Sequence, residues 1–250
     1  MELTNVQTIE FLHVAFLEVL STRLDPQRYV LKGGANLRYF FASQRYSEDI
    51  DLDFIQPVPW SIKEKVDGVL GSPALRSLLA VGNLSLEEWS SSKQTDTTHR
   101  WKVGVRAPSH LQLVRTKVEF SNRESGGERR LDQVPAEIVE PYALRRPTVQ
   151  HYTAGAATEQ KILALVGRTQ TQARDVFDLE LLLRRNSIPK GSLDSDLLDS
   201  AIDRALELTY DAFRDQVLAF LDPGAVELYD SAPAWEQLQT FVAGRLGAAK

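Results

Sequence analysis

The string SEDIDLDF, at residues 47–54, has the pattern of a metal-binding strand. Asp49, Asp51 and Asp53 alternate with apolar residues. This alternation predicts a strand with its carboxylates on one face and its apolar side chains on the other. Clustered carboxylates repel one another unless a cation lies among them, and oxygen ligands of this kind suit Mg²⁺ together with substrate phosphates. The string therefore predicts a magnesium site.

A glycine turn precedes this strand. The short apolar run Tyr29-Val30-Leu31 is followed by Gly33-Gly34 and then by a segment with helical spacing. Glycines let the backbone approach a ligand closely, and a helix N-terminus attracts phosphate. A double glycine or an Asp-x-Asp pair alone is more often structural than functional. Together they favour a site for metal-assisted transfer from a nucleoside triphosphate.

A second group of charged residues lies in the C-terminal part of the chain. Lys161 follows an acid near a helix start, and Asp175 and Asp178 share one face of the next predicted helix. One interpretation is an intrahelical ion pair between Arg174 and Asp178 at i, i+4 spacing. The other is that Lys161 neutralises a triphosphate while an Asp holds the triphosphate or the acceptor in place. Taken alone, this group favours the ion pair.

Taken together, three strings resemble those of the AbiEii/AbiGii-type toxin nucleotidyltransferases, a group that includes the MenT toxins of toxin–antitoxin systems. They are Lys32-Gly33-Gly34, RYSEDIDL at residues 45–52, and Lys161 with RDVFDL at residues 174–179. The resemblance implies an α+β fold with a nucleotidyltransferase-like mixed sheet and a helical C-terminal half. It implies transfer of a nucleotide from an NTP, with Mg²⁺ (or Mn²⁺), to RNA, in this family the 3′ end of tRNA. It also implies a cognate antitoxin protein as partner.

The resemblance assigns a role to each matching residue. Gly33 and Gly34 would cradle the triphosphate. Asp49 and Asp51 would bind metal and act in catalysis, and Ser47 would lie beside them at the nucleotide. Lys161 would pair with the phosphates, and Asp178, with Asp175 as the alternative, would complete the site. Glu119, on a later strand, is the candidate third metal ligand, and its alternative is a salt bridge to Lys117 or an arginine.

Two departures from the family pattern leave the metal pair open. Gly33-Gly34 replaces the usual Gly-Ser, and the gap from Gly34 to Asp49 is longer than in many members of the wider superfamily. The pair is therefore either Asp49 with Asp51 or Asp51 with Asp53. We choose the former, because Ser47 then falls at the expected spacing.

The remaining chain predicts the elements around these residues. Residues 100–121 are typical of a β-hairpin, and residues 122–130 (NRESGGERR) predict a mobile loop whose Arg123, Arg129 and Arg130 could bind RNA. Helices are expected at residues 158–166, 174–184, 192–221 and 233–246. The change of pattern near residue 155 predicts an α/β part at 1–155 and a helical part at 156–250. The resemblance implies that the first is a nucleotidyltransferase-like domain and the second a helical domain that closes the active-site cleft.

Charge and composition narrow the functional classes. The net charge is −5, yet residues 100–146 hold ten Lys and Arg against six Asp and Glu, so a polyanion such as RNA could bind this middle region. The chain has no cysteine and no apolar run long enough for a membrane span, which favours a cytoplasmic protein without a membrane partner. Transfer to a protein or a small molecule, or a catalytically silent binding module, are the alternatives. The nucleotide, the acceptor and the oligomeric state stay open.

Overall fold

The computed structural model describes residues 2–55, 61–122, 126–188 and 193–250. Its strands are β1 (Tyr29–Lys32), β2 (Ile50–Phe54), β3 (Ser85–Thr95), β4 (Thr98–Arg106), β5 (Val114–Ser121), β6 (Arg129–Gln133) and β7 (Thr148–Tyr152). They form one seven-stranded sheet in the order β3-β4-β5-β2-β1-β7-β6. The β2–β5 and β1–β7 pairs are parallel and the others are antiparallel, so the sheet is mixed.

Helices occupy both ends of the sequence and most of its second half. They are α1 (Asn5–Ser21), α2 (Gly33–Phe40), α3 (Ile62–Leu70), α4 (Pro73–Val81), α5 (Ala136–Val139), α6 (Ala154–Gly167), α7 (Ala173–Arg184), α8 (Ser195–Leu206), α9 (Tyr210–Gln216), α10 (Pro223–Tyr229) and α11 (Ala232–Gly247). The predicted α+β class, with a mixed sheet followed by helices, is confirmed.

The chain forms two compact units. Unit 1 takes in the described residues up to Ala42, those from Tyr46 to Asn122, and Arg129–Tyr152. Unit 2 takes in Ser43–Arg45, Gly126–Glu128 and the described part of Thr153–Lys250. Two short segments from the N-terminal half therefore belong to the helical unit. The division into domains at residue 155 stays a prediction about parts that fold by themselves.

The sheet and α1–α5 make up unit 1, and its core lies between them. Leu31, Leu52 and Phe120 are fully buried on neighbouring strands, and Trp101 of β4 packs edge-on against Phe120. Helix α1 contributes a nearly continuous buried surface to this core from Phe11 to Leu20. Burying apolar surface on one face of the sheet leaves the charged residues of β2 and β5 on the other face.

Unit 2 is a helical bundle, α6–α11, around its own apolar core. Phe213 and Trp235 stack at its centre with ring centroids 4.6 Å apart, and the indole N–H of Trp235 donates to the carbonyl of Leu208. Buried leucines and valines of α7, α8 and α11 surround this pair. The N-terminal face of α7 carries Asp175 and Asp178 into the interior of this unit, where both are fully buried.

Two predictions of local structure are wrong, and one strand was missed. The single helix expected at 192–221 is wrong: its first residue lies outside the described part of the chain, α8 ends at Leu206, and Thr209 caps a new helix by accepting the Ala212 N–H. Strand β3 was not predicted, because most of its residues are polar. The loop expected at 122–130 is also wrong for Arg129 and Arg130, which begin strand β6 at the edge of the sheet.

None of the helices in the described parts of the chain is long and apolar enough to cross a membrane.

The start of α1 provides a test of this fold. Thr4 Oγ1 accepts the Gln7 N–H and the Gln7 side chain accepts the Thr4 N–H, so both bonds of a capping box are present. Thr4→Ala should therefore lower the free energy of unfolding by about 1 kcal/mol in urea titrations. Thr4→Ser, which keeps the oxygen, should lose much less. Equal losses in both variants would contradict the capping geometry.

Candidate functional site

Asp51 lies in the middle of the charged face of unit 1. In the register of the sheet it is opposite Lys32 of β1 on one side and Glu119 of β5 on the other. Residues opposite each other on neighbouring strands point to the same face. Asp51 and Glu119 are therefore adjacent carboxylates, half-buried, with a cationic side chain on the far side of Asp51.

The glycine turn and Asp51 are matched in shape. Helix α2 begins at Gly33, whose φ of +65° is a conformation that other residues rarely adopt. A Cβ atom at Gly33 would also lie 2.9 Å from Oδ2 of Asp51. Glycine is thus required both by the backbone and by the closeness of this carboxylate, and the predicted glycine turn lies directly beside the predicted metal-binding strand.

Asp49 precedes β2, and its carboxylate is more exposed than that of Asp53. Its Oδ2 accepts a bond from the Lys117 Nζ at 3.0 Å, and about a quarter of the Asp49 side chain is exposed. The Ser47 hydroxyl donates to the Asp49 carbonyl at 2.7 Å, which fixes the turn that enters the strand. A ligand at Asp49 would have to displace the Lys117 ammonium, whose side chain is 44% exposed and can turn into solvent.

Asp53 is held differently from its two neighbours. Its side chain is 2% exposed, it forms an ion pair with Lys32, and Oδ2 accepts the Tyr152 hydroxyl at 2.9 Å. Lys32 Nζ also donates to Ser121 at 3.1 Å. Both carboxylate oxygens of Asp53 are engaged inside the protein, so the geometry favours Asp49 with Asp51 over Asp51 with Asp53 as the metal pair.

Glu119 forms an ion pair with Arg100, whose Nε lies 2.5 Å from Oε2, as the alternative interpretation of this residue predicts. Within the described ranges, no three His, Asp or Glu side chains are grouped so as to hold a metal ion. The donors present, Asp49 and Asp51, still fit Mg²⁺, because this ion is commonly held by one or two carboxylates while substrate phosphates and water complete its shell. A role for Glu119 as third ligand stays a prediction.

A buried histidine supports the turn before Asp49. His13 of α1 is 1% exposed, and its Nε2 lies 2.8 Å from the Thr116 hydroxyl, which in turn donates to the Glu48 carbonyl at 2.6 Å. Since the hydroxyl hydrogen goes to Glu48, the imidazole must donate through Nε2–H. Burial lowers the pKa of His13 to about 3, so the ring is neutral at pH 7.

Unit 2 contains a buried ion cluster around Asp178. The Arg45 guanidinium contacts both oxygens of this carboxylate, with Nη2 2.8 Å from Oδ2 and Nε 3.1 Å from Oδ1. Lys161 Nζ lies 2.6 Å from Oδ2. Burial alone would raise the pKa of Asp178, but Arg45 and Lys161 outweigh this effect and hold the pKa below its ordinary value.

Lys161 joins Asp178 to Asp175. Its Nζ also lies 2.8 Å from Asp175 Oδ1, and Arg168 Nε lies 2.8 Å from the other oxygen of Asp175. Burial works against the charge of Lys161, yet the two carboxylates raise its pKa above the ordinary value. The Lys161 side chain is 12% exposed, whereas neither aspartate side chain is exposed at all. In this conformation the aspartates position Lys161, and direct contact of Asp178 or Asp175 with a ligand stays a prediction.

The predicted RNA-binding arginines are not one group. Arg123 lies outside the described residues. Arg129 and Arg130 are exposed successive residues of β6, so they point to opposite faces of the sheet, with Arg129 opposite Tyr152 and Arg130 opposite His151.

The sequence did not reveal the roles of several residues in the two clusters. Those without an assigned role were His13, Lys32, Arg45, Arg100, Thr116 and Tyr152. Lys32 and Arg45 stood in the motif strings, and their position beside the predicted site residues could have pointed to them. His13, Thr116 and Tyr152 carry no such signal, because strand register and helix packing bring them to the site from distant parts of the chain.

Comparisons with known proteins bear on the family and the fold. The family model described as nucleotidyl transferase AbiEii toxin, Type IV TA system, matches residues 15–241. JHP933 from Helicobacter pylori is 18% identical, with a TM-score of 0.60 over 100% of this chain and 93% of that one. A second H. pylori protein, described provisionally as a nucleotidyltransferase, is 18% identical, with a TM-score of 0.58 over 95% and 91% of the two chains. At this identity the likeness establishes the fold alone. No curated protein matches the chain in sequence.

The depressed pKa of His13 predicts a pH dependence of stability. The folded value, about 3, lies below the ordinary 6.5, so the unfolded chain binds the additional proton. The contribution of this residue is present in full above pH 6.5 and falls as the pH drops toward 3, by up to about 1.4 kcal/mol per pH unit. The variant His13→Gln keeps a hydrogen-bond donor but cannot titrate. Between pH 6.5 and 5, its free energy of unfolding should therefore fall by about 1–2 kcal/mol less than that of the unaltered chain.

Urea unfolding at the two pH values measures this difference. The other groups with lowered pKa values, His99, His151, Asp175 and Asp178, are common to both proteins and cancel. Identical pH dependence in both would mean that His13 is accessible to protons in the folded state.

The Arg45–Asp178 contact predicts an asymmetry between single and double variants. Arg45→Leu leaves Asp178 buried with one cation fewer and should lower the free energy of unfolding by about 3–5 kcal/mol. The double variant Arg45→Leu, Asp178→Leu should recover much of this loss, because the lone charge is removed too. Arg168→Leu, at the 40% exposed end of the cluster, is the matched control and should cost far less. Additive losses in the double variant would contradict a direct pair.

Proposed function

Because the chain belongs to the AbiEii toxin family of nucleotidyl transferases, we propose that it transfers a nucleotide from an NTP to RNA, namely to the 3′ end of tRNA. The single observation that carries this proposal is the approach of the Asp51 carboxylate to Gly33. A phosphate held at a glycine turn and helix N-terminus would lie next to Asp49 and Asp51. This juxtaposition supports phosphate chemistry more specifically than either feature alone.

The proposed reaction is a displacement at the α-phosphate of the triphosphate. The terminal hydroxyl oxygen of the RNA forms a bond to this phosphorus, the bond between the α-phosphate and its bridging oxygen breaks, and pyrophosphate leaves. The hydroxyl proton is released to water. Most of the work of the protein in such a reaction is to position the two reactants and to stabilise negative charge.

Asp49 and Asp51 would hold Mg²⁺, or Mn²⁺, and Glu119 would join them once Arg100 releases it. When bound, the metal ion would neutralise negative charge on the phosphates. The protein itself supplies Gly33 and Gly34 at the start of α2, where backbone N–H groups without a helical partner would face the phosphates. Ser47 keeps Asp49 in place through its bond to the Asp49 carbonyl.

For unit 2 we propose that Lys161 acts on the phosphates of the nucleotide. Its charge is maintained by Asp175 and Asp178, and it is the member of this trio with an exposed part. A compact ammonium is suited to phosphate oxygens. Asp178 and Asp175 then act through Lys161, as positioning residues.

Family membership implies further partners. A Type IV toxin–antitoxin family implies an antitoxin protein as partner, and we propose that the chain meets its nucleotide, tRNA and antitoxin in the cytoplasm. The arginines of the 122–130 segment stay a prediction for RNA binding.

Asp51→Asn tests the proposed function. Purified protein, total tRNA and each of the four α-labelled NTPs are incubated with Mg²⁺, and label in the tRNA is measured on a gel. The unaltered chain should label tRNA with at least one NTP, and Asp51→Asn should lower the rate by at least about 100-fold, because it removes a metal-binding charge. Asp132→Asn, at an exposed carboxylate of β6, is the matched control and should keep its rate.

Two results would contradict the proposal. The first is an unaltered chain that labels tRNA with none of the four NTPs, although its circular dichroism shows a folded protein. The second is an Asp51→Asn variant that retains its full rate, which would remove this carboxylate from the chemistry.

A further inference from the structure

The strands β3, β4 and β5 present a basic face on the charged side of the sheet. Its cationic side chains are Lys93, Arg100, Lys102, Arg106, Arg115 and Lys117, which we call the basic face. Only two acidic side chains, Glu88 and Glu119, occupy paired positions among them, and each is bound to an arginine of the same face. The excess of positive charge therefore belongs to a defined surface of the sheet.

The core fixes which way this surface points. On β4, Arg100, Lys102 and Arg106 alternate with residues buried against α1, α3 and α4. Strand residues alternate between the two faces, so the basic side chains must point away from the core. Arg115 and Lys117 of β5 are placed on the same face by their cross-strand partners.

The basic face leads directly to the candidate site. One row of paired residues crosses five strands from β3 to β1: Lys93, Arg100, Glu119, Asp51 and Lys32. Neighbouring strands are about 4.8 Å apart, so the backbone of β3 lies roughly 14 Å from that of β2. A molecule bound along this row would have one end at Asp51.

Part of this positive charge has no ion-pair partner among the described residues. Lys102 and Lys117 are directly opposite each other, an arrangement that destabilises a sheet. Lys117 pairs with Asp49, whereas Lys102 is exposed and no ion pair with a described residue engages it. The same holds for Lys93 and Arg106. An anion bound across the face would relieve this repulsion.

We propose that the acceptor RNA binds the basic face through its phosphates, with its terminal hydroxyl reaching Asp49 and Asp51. This inference rests on the proposed function for the identity of the acceptor, and it adds the surface that holds it. Lys93, Lys102 and Arg106 supply the contacts farthest from the chemistry, and Lys117 connects them to Asp49.

The chemistry of the face selects a sugar–phosphate backbone. Strands β3, β4 and β5 lie entirely within the described residues, and no position of theirs on the basic face is aromatic, since the 42% exposed Trp89 is opposite Val103 on the other face. Stacking platforms for bases are thus missing there, and contacts are limited to charge, which positions a strand without reading its sequence. The other edge of the sheet, at β6, carries fewer charges on this face. Of the β6 residues, only Arg129 is a charged residue on the face of Tyr152 and Asp51.

The test compares two sets of substitutions. The first is Lys93→Ala, Lys102→Ala, Arg106→Ala, and the second is Arg129→Ala, Arg130→Ala on β6, which tests the rival prediction that RNA binds these two arginines. Binding of fluorescently labelled total tRNA is measured by anisotropy without NTP at several salt concentrations. Losing three phosphate contacts should reduce the salt slope by about 2, so the drop in affinity between about 50 and 200 mM salt should be roughly 20-fold smaller. The β6 variant should keep most of the original slope.

Thermal unfolding and NTP binding should be unchanged in the triple variant, because its residues lie outside the nucleotide site. An unchanged salt slope in the triple variant, or a larger loss in the β6 variant, would overturn the proposal. The proposal would also be overturned if poly-glutamate displaced the tRNA as effectively as unlabelled RNA of the same charge, because the face would then be assigned to acidic proteins. The proposed function is judged separately, since a chain that binds tRNA in this way but labels it with no NTP would refute transfer and leave the surface intact.

Discussion

Repulsion between neighbouring carboxylates is the constraint on which the charged half of unit 1 depends. Parallel pairing of β2 with β5 places Asp51 beside Glu119, and the tight entry to β2 adds Asp49. Asp49, Glu119 and the nearby Asp53 each pair with a cation of the same sheet, namely Lys117, Arg100 and Lys32. These cations are unequally buried. Lys32 is mostly enclosed, whereas Arg100 and Lys117 are more than a third exposed and can leave when a ligand brings its own charge.

This inequality separates Asp53, a structural carboxylate, from the carboxylates that we propose bind metal. Asp53 is fully engaged by Lys32 and Tyr152, and its loss would leave a buried ammonium unpaired. Unit 2 follows the same principle, since the buried Asp178 is stable only with Arg45 and Lys161 beside it. Arg45 connects the two constraints along the chain. It belongs to unit 2, and the next residue, Tyr46, belongs to unit 1 and leads toward β2.

Short-range patterns in the sequence carried the fold class and the main elements around the site. The glycine turn, the Asp-x-Asp strand and the hairpin of β4 and β5 were all predictable from local spacing. What could not be predicted depends on pairing across the sheet. Alternation alone predicted that Asp49, Asp51 and Asp53 lie on the same face, with nothing to separate their roles. Only the register of β1 and β5 with β2 distinguishes them. The same applies to Arg129. Its charged, glycine-rich surroundings predict a loop, because the sequence does not show that this segment pairs with β7 as strand β6.

Net charge is a poor guide to what this protein can bind, because screening makes electrostatics local. At physiological ionic strength the Debye length is about 8 Å, so exposed charges farther away than this hardly act on a bound phosphate. Residues 188–250 hold eleven Asp and Glu against five Lys and Arg and account for the acidic total. The basic residues of β3, β4 and β5 lie instead within one or two strand spacings of each other. A phosphate on this face therefore interacts with several cations at once, which a chain with a net charge of −5 can provide only by segregating its charges between surfaces.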